Sequence, residues 1–119
     1  MEIKDKLVEA IVKGIQEKKG QDITIADLRG IDGNIASYFV ICQGNSPSQV
    51  EAIADSVCET ARIEAGEKPV HTVGLPQAYW VAMDYVEVIV HIFIPEACDY
   101  YNLENLWEDA KVTNIPNLD

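Results

Sequence analysis

The chain has 119 residues, 48% hydrophobic and 24% charged, which is the composition of one globular domain rather than of a disordered or fibrous protein. Twenty acidic residues against nine basic ones give a net charge of -11, which disfavours direct nucleic-acid binding because phosphate contacts draw on clustered Lys and Arg. The acidity either favours a basic protein partner or serves only to keep the protein in solution.

The first predicted element is an amphipathic helix over residues 3–18, which Gly20 ends. Its apolar residues recur at helical spacing: Ile3, Leu7, Val8, Ile11, Val12 and Ile15. Residues 1–6 are too charged and too acidic for a targeting segment. The longest apolar run, 86–95, is interrupted and falls short of the roughly 20 residues of a membrane span. We therefore expect a cytoplasmic protein without a membrane segment.

Two strands and a second helix are predicted next. Residues 22–28 alternate polar and apolar side chains, as a strand does. The run Tyr38–Cys42 is continuously apolar, which is typical of a central strand covered on both faces. Ser46 can then cap a helix, with Gln49 completing a capping box and Gly66 ending the helix. The buried stripe of that helix is predicted to consist of Val50, Ile53, Ala54, Val57, Cys58 and Ala61.

Strands predicted at 79–84 and 87–93 are joined only by Tyr85–Val86, which implies an antiparallel hairpin in which Trp80 faces His91. Side chains alternate between the two faces of such a hairpin. One face is mixed: Trp80, Ala82, Asp84, Glu87, Ile89, His91 and Phe93. The other is purely apolar and is therefore assigned to the side covered by the helices: Val81, Met83, Val88, Val90 and Ile92.

The remaining segments are short. Residues 68–73 resemble an edge strand, Pro95 stops the hairpin, Asn102 can cap a short helix, and the tail after Val112 is predicted to be irregular. The apolar residues of the short helix are Leu103, Leu106, Trp107 and Ala110. Helices with one apolar side and a sheet with one apolar face predict an α/β fold in a single domain over residues 1–119.

Cysteine and histidine usage favours neither a disulfide framework nor a metal site. Cys42, Cys58 and Cys98 are odd in number and lie far apart in apolar segments, as reduced, buried thiols do. No Cys pair has zinc-ligand spacing, and His71 and His91 are the only histidines. We expect no bound metal and no cofactor.

Several segments, in order along nearly the whole chain, carry a family pattern. They are Asp27-Leu28-Arg29, Tyr38 to Ser46 with Gln49-Val50, Trp80-x-x-x-Asp84, Val88 to Phe93, Pro95-Glu96-Ala97, Tyr101-x-Leu103-Glu104-x-Leu106-Trp107 and Asp109-Ala110. Together these segments resemble the ribosomal silencing factor (Iojap-like) family. The resemblance implies a mixed β-sheet flanked by helices, similar to the nucleotidyltransferase fold but without its catalytic carboxylates.

The same resemblance implies a translation repressor rather than an enzyme. Such a factor binds the large ribosomal subunit through its fourteenth ribosomal protein and sterically blocks the small subunit. The family's partner-facing tryptophan corresponds to Trp80, an aromatic of the kind that anchors interfaces. The predicted contact surface consists of Trp80, Ala82, Asp84, Tyr85, Ile89 and His91. A homodimer is also implied, and the same apolar face can serve that contact.

Four positions depart from the family pattern. Ser37 replaces a common Asp, Ser48 and Cys98 stand where basic residues are usual, and Val86 stands where Gly is usual. The lost basic side chains remove ionic contacts expected from those positions. A primed hairpin turn needs a positive φ, which a β-branched residue such as Val86 resists.

Two other functions stay open at this point. The loop Gly44-Asn45-Ser46 lies at a strand-to-helix junction, where nucleotidyltransferases hold a triphosphate at a helix N-terminus. That chemistry also needs paired carboxylates for magnesium, and no Asp-x-Asp or Asp-x-Glu pair follows on the next strand. The second alternative is a generic acidic interaction module, which composition alone does not separate from a silencing factor.

Overall fold

The structure is a computed structural model that describes residues 6–27, 37–74, 80–94 and 111–115. Within these ranges two helices and six strands follow one another along the chain. They are α1 (Lys6–Glu17), β1 (Gln21–Asp27), β2 (Tyr38–Gln43), α2 (Pro47–Ala65), β3 (His71–Val73), β4 (Trp80–Asp84), β5 (Val88–Phe93) and β6 (Lys111–Ile115).

The six strands form one mixed sheet in the order β3-β4-β5-β2-β1-β6. The central strands β2 and β5 run parallel, and every other neighbouring pair is antiparallel. The central place of β2 agrees with its continuously apolar sequence, because a central strand is covered on both faces. The predicted α/β fold with a mixed sheet is confirmed.

Both helices pack on one face of the sheet and against each other. They meet at small residues: the Ser56 hydroxyl donates a 2.8 Å hydrogen bond to the carbonyl oxygen of Gly14. A Cβ atom on Gly14 would lie 2.9 Å from the Cα atom of Val57. The two helix backbones therefore approach as closely as a glycine allows.

The second helix begins and ends at the predicted residues, but the capping box differs from the predicted one, because the Gln49 side chain accepts from the N–H of Asn45 and not from that of Ser46. Ser46 Oγ accepts from the backbone N–H of Gln49 at 3.2 Å, and the left-handed Gly66 (φ 69°) ends the helix. The amide of Gln49 accepts from the N–H of Asn45 at 2.6 Å and donates to the carbonyls of residues 18–19. The Gln49 side chain thus links the end of α1 to the start of α2 by hydrogen bonds.

The helix-covered face of the sheet holds the core. All five side chains assigned to this face are at most 2% exposed and belong to the main apolar cluster: Val81, Met83, Val88, Val90 and Ile92. Ile23 and Ile25 of β1 and Val40 and Cys42 of β2 join them. Burial raises the pKa of the Cys42 thiol, so that this group stays protonated and unreactive.

The hairpin register differs from the predicted one. The Tyr85 N–H donates to the Val88 carbonyl at 2.9 Å, so the two loop residues are Val86–Glu87 instead of Tyr85–Val86. Trp80 therefore pairs with Phe93 rather than with His91. The physical reason is that the buried Tyr85 ring extends the ladder by one residue. Because pairing moves by two residues along β5, the assignment of side chains to faces is unchanged.

The tail was also predicted wrongly. Residues 111–115, expected to become irregular after Val112, form β6, which pairs with β1 along its length. A five-residue strand has too little pattern of its own and depends on the ladder that the partner strand offers. The predicted helix at 102–110, the turn at 30–34 and Cys98 lie outside the described residues. Among the described helices, none is long and apolar enough to cross a membrane.

Candidate functional site: the Trp80 face

The side of the sheet opposite the two helices carries Trp80 and is called the Trp80 face. Strand alternation places on it five of the six residues predicted as a contact surface. Each of the five is half-buried: Trp80, Ala82 and Asp84 from β4, and Ile89 and His91 from β5. The sheet thus brings these side chains together on neighbouring antiparallel strands.

An aromatic cluster holds the tryptophan in place. Trp80 Nε1–H donates to His91 Nδ1 at 3.1 Å, with the ring centroids 5.9 Å apart. Phe39 meets His91 edge-on at 5.1 Å, and Phe93 meets Trp80 edge-on at 6.4 Å. Edge-to-face contacts at such distances are favourable, because the ring quadrupoles attract. The indole is therefore oriented by one hydrogen bond and by the rings of His91 and Phe93, while Phe39 packs against His91.

The His91 ring is neutral at physiological pH. Burial lowers its pKa to about 4, because the charged form would lose its hydration. Since Nδ1 accepts from Trp80, the proton of the neutral ring is assigned to Nε2. That Nε2 atom is buried, with no hydrogen-bond partner among the residues that the structure describes. The geometry suits an orienting group for the indole rather than a general base.

Two carboxylates lie at the hairpin end of the face. Asp84 Oδ1 accepts from the N–H of Val86 at 2.7 Å. Glu87 Oε2 accepts from the Ser37 hydroxyl at 2.7 Å. Position 37 is the one at which the family pattern has Asp. An Asp at position 37 would place a second negative charge there, whereas Ser supplies a donor. Both carboxylates keep oxygens available to a cationic partner.

Val86 adopts the positive φ that its side chain disfavours. Its φ is 77°, and the N–H of Glu87 donates to the carbonyl of Tyr85 at 3.0 Å, which is the pattern of a γ-turn. The departure from Gly therefore keeps the tight turn and leaves strain in it. The Val86 side chain is 58% exposed.

Tyr85 does not belong to the Trp80 face. Its side chain is only 3% exposed and packs in the helix-covered core, because position 85 continues the alternation of Val81 and Met83. Burial raises the pKa of its hydroxyl, and Cys58 and Glu67 raise it further. The hydroxyl oxygen has no hydrogen-bond partner within the described part of the chain. Tyr85, predicted as a contact residue, is therefore left out of the proposed contact surface.

The sheet adds residues that the hairpin pattern did not reveal. Register places Val73 of β3 beside Ala82, Ala82 beside His91, and His91 beside Ile41 of β2. Exposure falls along this row from 46% at Val73 to 4% at Ile41. Phe93, also on this face, is fully buried. Only the strand order shows that β3 continues the face, so its accessible part lies toward that edge.

The loop before α2 acts as a helix cap, as described above. Within the described ranges, no group of three or more His, Cys, Asp or Glu side chains could hold a metal ion. The Trp80 face is therefore the best-defined candidate for a binding surface. It combines a fixed aromatic side chain, apolar neighbours and carboxylates at one end.

Known proteins are similar to this chain over most of its length. The family model described as "Ribosomal silencing factor during starvation" matches residues 1–119. The ribosomal silencing factor of Bacillus subtilis (strain 168) is 40% identical over 99 residues, which are 83% of this chain and 82% of that protein. The corresponding protein of Halalkalibacterium halodurans is 37% identical over 112 residues, 94% of each chain. A crystal structure from Chromobacterium violaceum has a TM-score of 0.80 and 32% identity, covering 90% of this chain and 87% of that one.

Proposed function

The chain belongs to the ribosomal silencing factor family, and from that premise we propose that it binds the large ribosomal subunit through its fourteenth protein and sterically blocks the small subunit. The family's role is regulatory rather than catalytic and implies association with the ribosome. The proposed contact surface is the Trp80 face, made of Trp80, Ala82, Asp84, Ile89 and His91.

The observation that carries this proposal is the fixed, half-buried Trp80. The hydrogen bond to His91 and the ring contact with Phe93 already restrict the indole in the free protein. A preoriented side chain loses less conformational entropy when a partner covers it. Large aromatic residues with this property are the ones that dominate interface energies.

Charge supports a basic protein as the partner. Asp84 and Glu87 stand at one end of the Trp80 face, in a molecule whose net charge is -11. Lys and Arg side chains on a ribosomal protein would meet them at the rim of the contact. Complementary charges of this kind raise the rate of association and fix orientation more than they raise affinity.

The position of the helices supports the steric part of the proposal. Both lie on the opposite side of the sheet, so docking through the Trp80 face directs them away from the large subunit. The molecule measures 35 × 34 × 29 Å along its principal axes. A body of this thickness on the joining surface would keep the small subunit out without a covalent step.

The first prediction concerns Trp80→Ala. We expect the substitution to weaken binding to the large subunit by about 2 kcal/mol or more, because an oriented aromatic anchor is removed. Binding is measured by co-sedimentation with separated subunits in a sucrose gradient, and the small subunit is added last to score subunit joining. Far-ultraviolet circular dichroism and urea unfolding check that the variant is folded.

Trp80→Phe serves as the matched variant, because it keeps one aromatic ring while it removes the pyrrole ring of the indole and, with it, the N–H that donates to His91. Its binding should lie between wild type and Trp80→Ala. Wild-type protein that travels with neither subunit would overturn the proposed function. A folded Trp80→Ala variant that binds as wild type does would remove Trp80 from the contact.

A further inference from the structure

We propose that the docking surface extends past Trp80 to the edge of the sheet, where Val73 of β3 and Val86 of the hairpin turn contact the same partner. This inference rests on the proposed function and adds two contact residues to it. Three of the four exposed large apolar side chains in the described part of the chain lie around this edge: Val70, Val73 and Val86.

Val73 continues the Trp80 face without interruption. It pairs with Ala82 across the strands β3 and β4, and directly paired side chains on one face lie within about 5 Å. Ala82 in turn pairs with His91, the residue that orients Trp80. Val73 is 46% exposed, whereas the far end of the row is buried. A partner that contacts the half-buried Trp80 therefore reaches its most accessible apolar neighbour at Val73.

Val86 is an unfavourable residue at its position in two respects, and the substitution Val86→Gly would remove both. It holds a positive φ that Gly adopts without strain, and it exposes 58% of an apolar side chain. Strained residues persist where the surrounding structure imposes them, and they cluster at functional sites. Asp84, itself on the Trp80 face, fixes this turn through the Val86 N–H. An apolar contact made by the Val86 side chain accounts for both features.

The partner that fits this surface has an apolar patch bordered by cations. Val73 and Ala82 supply apolar area on the Trp80 face, and Val86 adds apolar area at its hairpin end, where Asp84 and Glu87 supply negative charge at the border. Contiguous exposed apolar area with a polar border is typical of a protein–protein contact. The continuity of the patch with the Trp80 face commits it to the same large-subunit protein, rather than to a second copy of the chain.

The test compares Val73→Thr and Val86→Gly with Ile63→Thr. Ile63 is similarly exposed, at 63%, but lies on α2, on the other side of the sheet. Dissociation constants for purified large subunits are measured with each variant and with Trp80→Ala as reference. We expect Val73→Thr and Val86→Gly each to weaken binding about fivefold or more, and Ile63→Thr to bind as wild type does.

Unfolding in urea separates loss of contact from loss of fold. Val86→Gly should unfold at a higher urea concentration than wild type because the strain is relieved, while it binds more weakly. Opposite signs for stability and binding cannot come from misfolding. Sedimentation equilibrium of the free variants reports whether the same residues hold a homodimer.

Three outcomes overturn the inference. If Val73→Thr and Val86→Gly bind as wild type does while Trp80→Ala binds weakly, the proposed function stands and the extended surface is wrong. If the two variants lose self-association but keep binding to the large subunit, a second copy occupies the edge. If wild type does not bind the large subunit at all, the proposed function fails and this inference fails with it.

Discussion

His91 makes a hydrogen bond that only the unprotonated ring can make. Its Nδ1 accepts from Trp80, and burial lowers its pKa to about 4. Protonation would turn this acceptor into a donor that points at another donor. The neutral form of His91 therefore contributes to the stability of the fold at the proposed contact surface.

This dependence predicts how stability varies with pH. The unfolded chain takes up a proton at His91 near pH 6.5, whereas the folded ring does so only near 4. The unfolded state binds more protons between these values, so the contribution of His91 to stability falls as the pH drops through that window. The loss is up to about 3 kcal/mol. Urea unfolding at pH 7 and at pH 4.5 measures it.

The variant His91→Gln removes the titration while its amide oxygen can still accept from the indole. Its unfolding free energy should therefore change less between pH 7 and pH 4.5 than that of wild type. His71→Gln is the matched control, because it makes the same substitution at the other histidine, which is exposed on β3. Equal pH dependence in wild type and His91→Gln would contradict the assignment.

At the scale of the elements, the contact between α1 and α2 depends on the absence of a side chain. Gly14 lies against the backbone of α2, and its carbonyl accepts from the Ser56 hydroxyl. The nearby ion pair Lys13–Glu64, at 2.8 Å, is solvent-exposed and contributes little. Close backbone packing therefore fixes how the helices lie on each other.

Gly14→Ala is predicted to destabilise the protein by about 1–3 kcal/mol, because the added methyl group meets backbone atoms that cannot move aside. In an unobstructed helix the same change would stabilise by about 1 kcal/mol, so the sign of the effect identifies the contact. The measurement is the free energy of unfolding in urea. Glu9→Ala, at an exposed position of α1, should stay within about 0.5 kcal/mol of wild type. A Gly14→Ala variant that is more stable than wild type would show that the helices can separate at no cost.

At the scale of the whole molecule, the net charge is -11, and acidic side chains lie on both sides of the sheet. Asp84 and Glu87 lie at the hairpin end of the Trp80 face. On the opposite side, Asp55 and Glu59 line an acidic groove of about 530 Å³ between the helices. Charges near the contact steer a partner more strongly than charges far from it, because screening in salt shortens their range.

Two double variants with equal net charge separate these contributions. Asp84→Asn/Glu87→Gln should slow association with the large subunit about twofold to fivefold at low salt, because the steering charges are lost. The new amide oxygens can still accept from Val86 and Ser37, so the turn is kept. Asp55→Asn/Glu59→Gln should slow association less.

Stopped-flow measurements at several salt concentrations give these association rates. The difference between the two double variants should shrink as salt rises. Equal rates for both at low salt would show that only total charge matters. A wild-type rate that does not depend on salt would argue against steering altogether.

The sequence alone determined the elements whose apolar periodicity or capping residues can be recognised within a single segment. The period of 3.6 fixed α1 and α2, Ser46 and Gly66 fixed the ends of α2, and alternation fixed which side chains of β4 and β5 face the helices. It also placed Trp80 and His91 on one face. These features depend on residues within one turn or one strand, so they can be read along the chain.

The tertiary structure decided what depends on partners distant in sequence. β6 is a strand because β1 offers it a ladder, and Tyr85 is a core residue because the helices cover its side of the hairpin. Val73 joins the Trp80 face because β3 pairs with β4. Hydrogen-bonded pairing and burial are set by neighbours in space, and a single sequence does not say which segments those neighbours are.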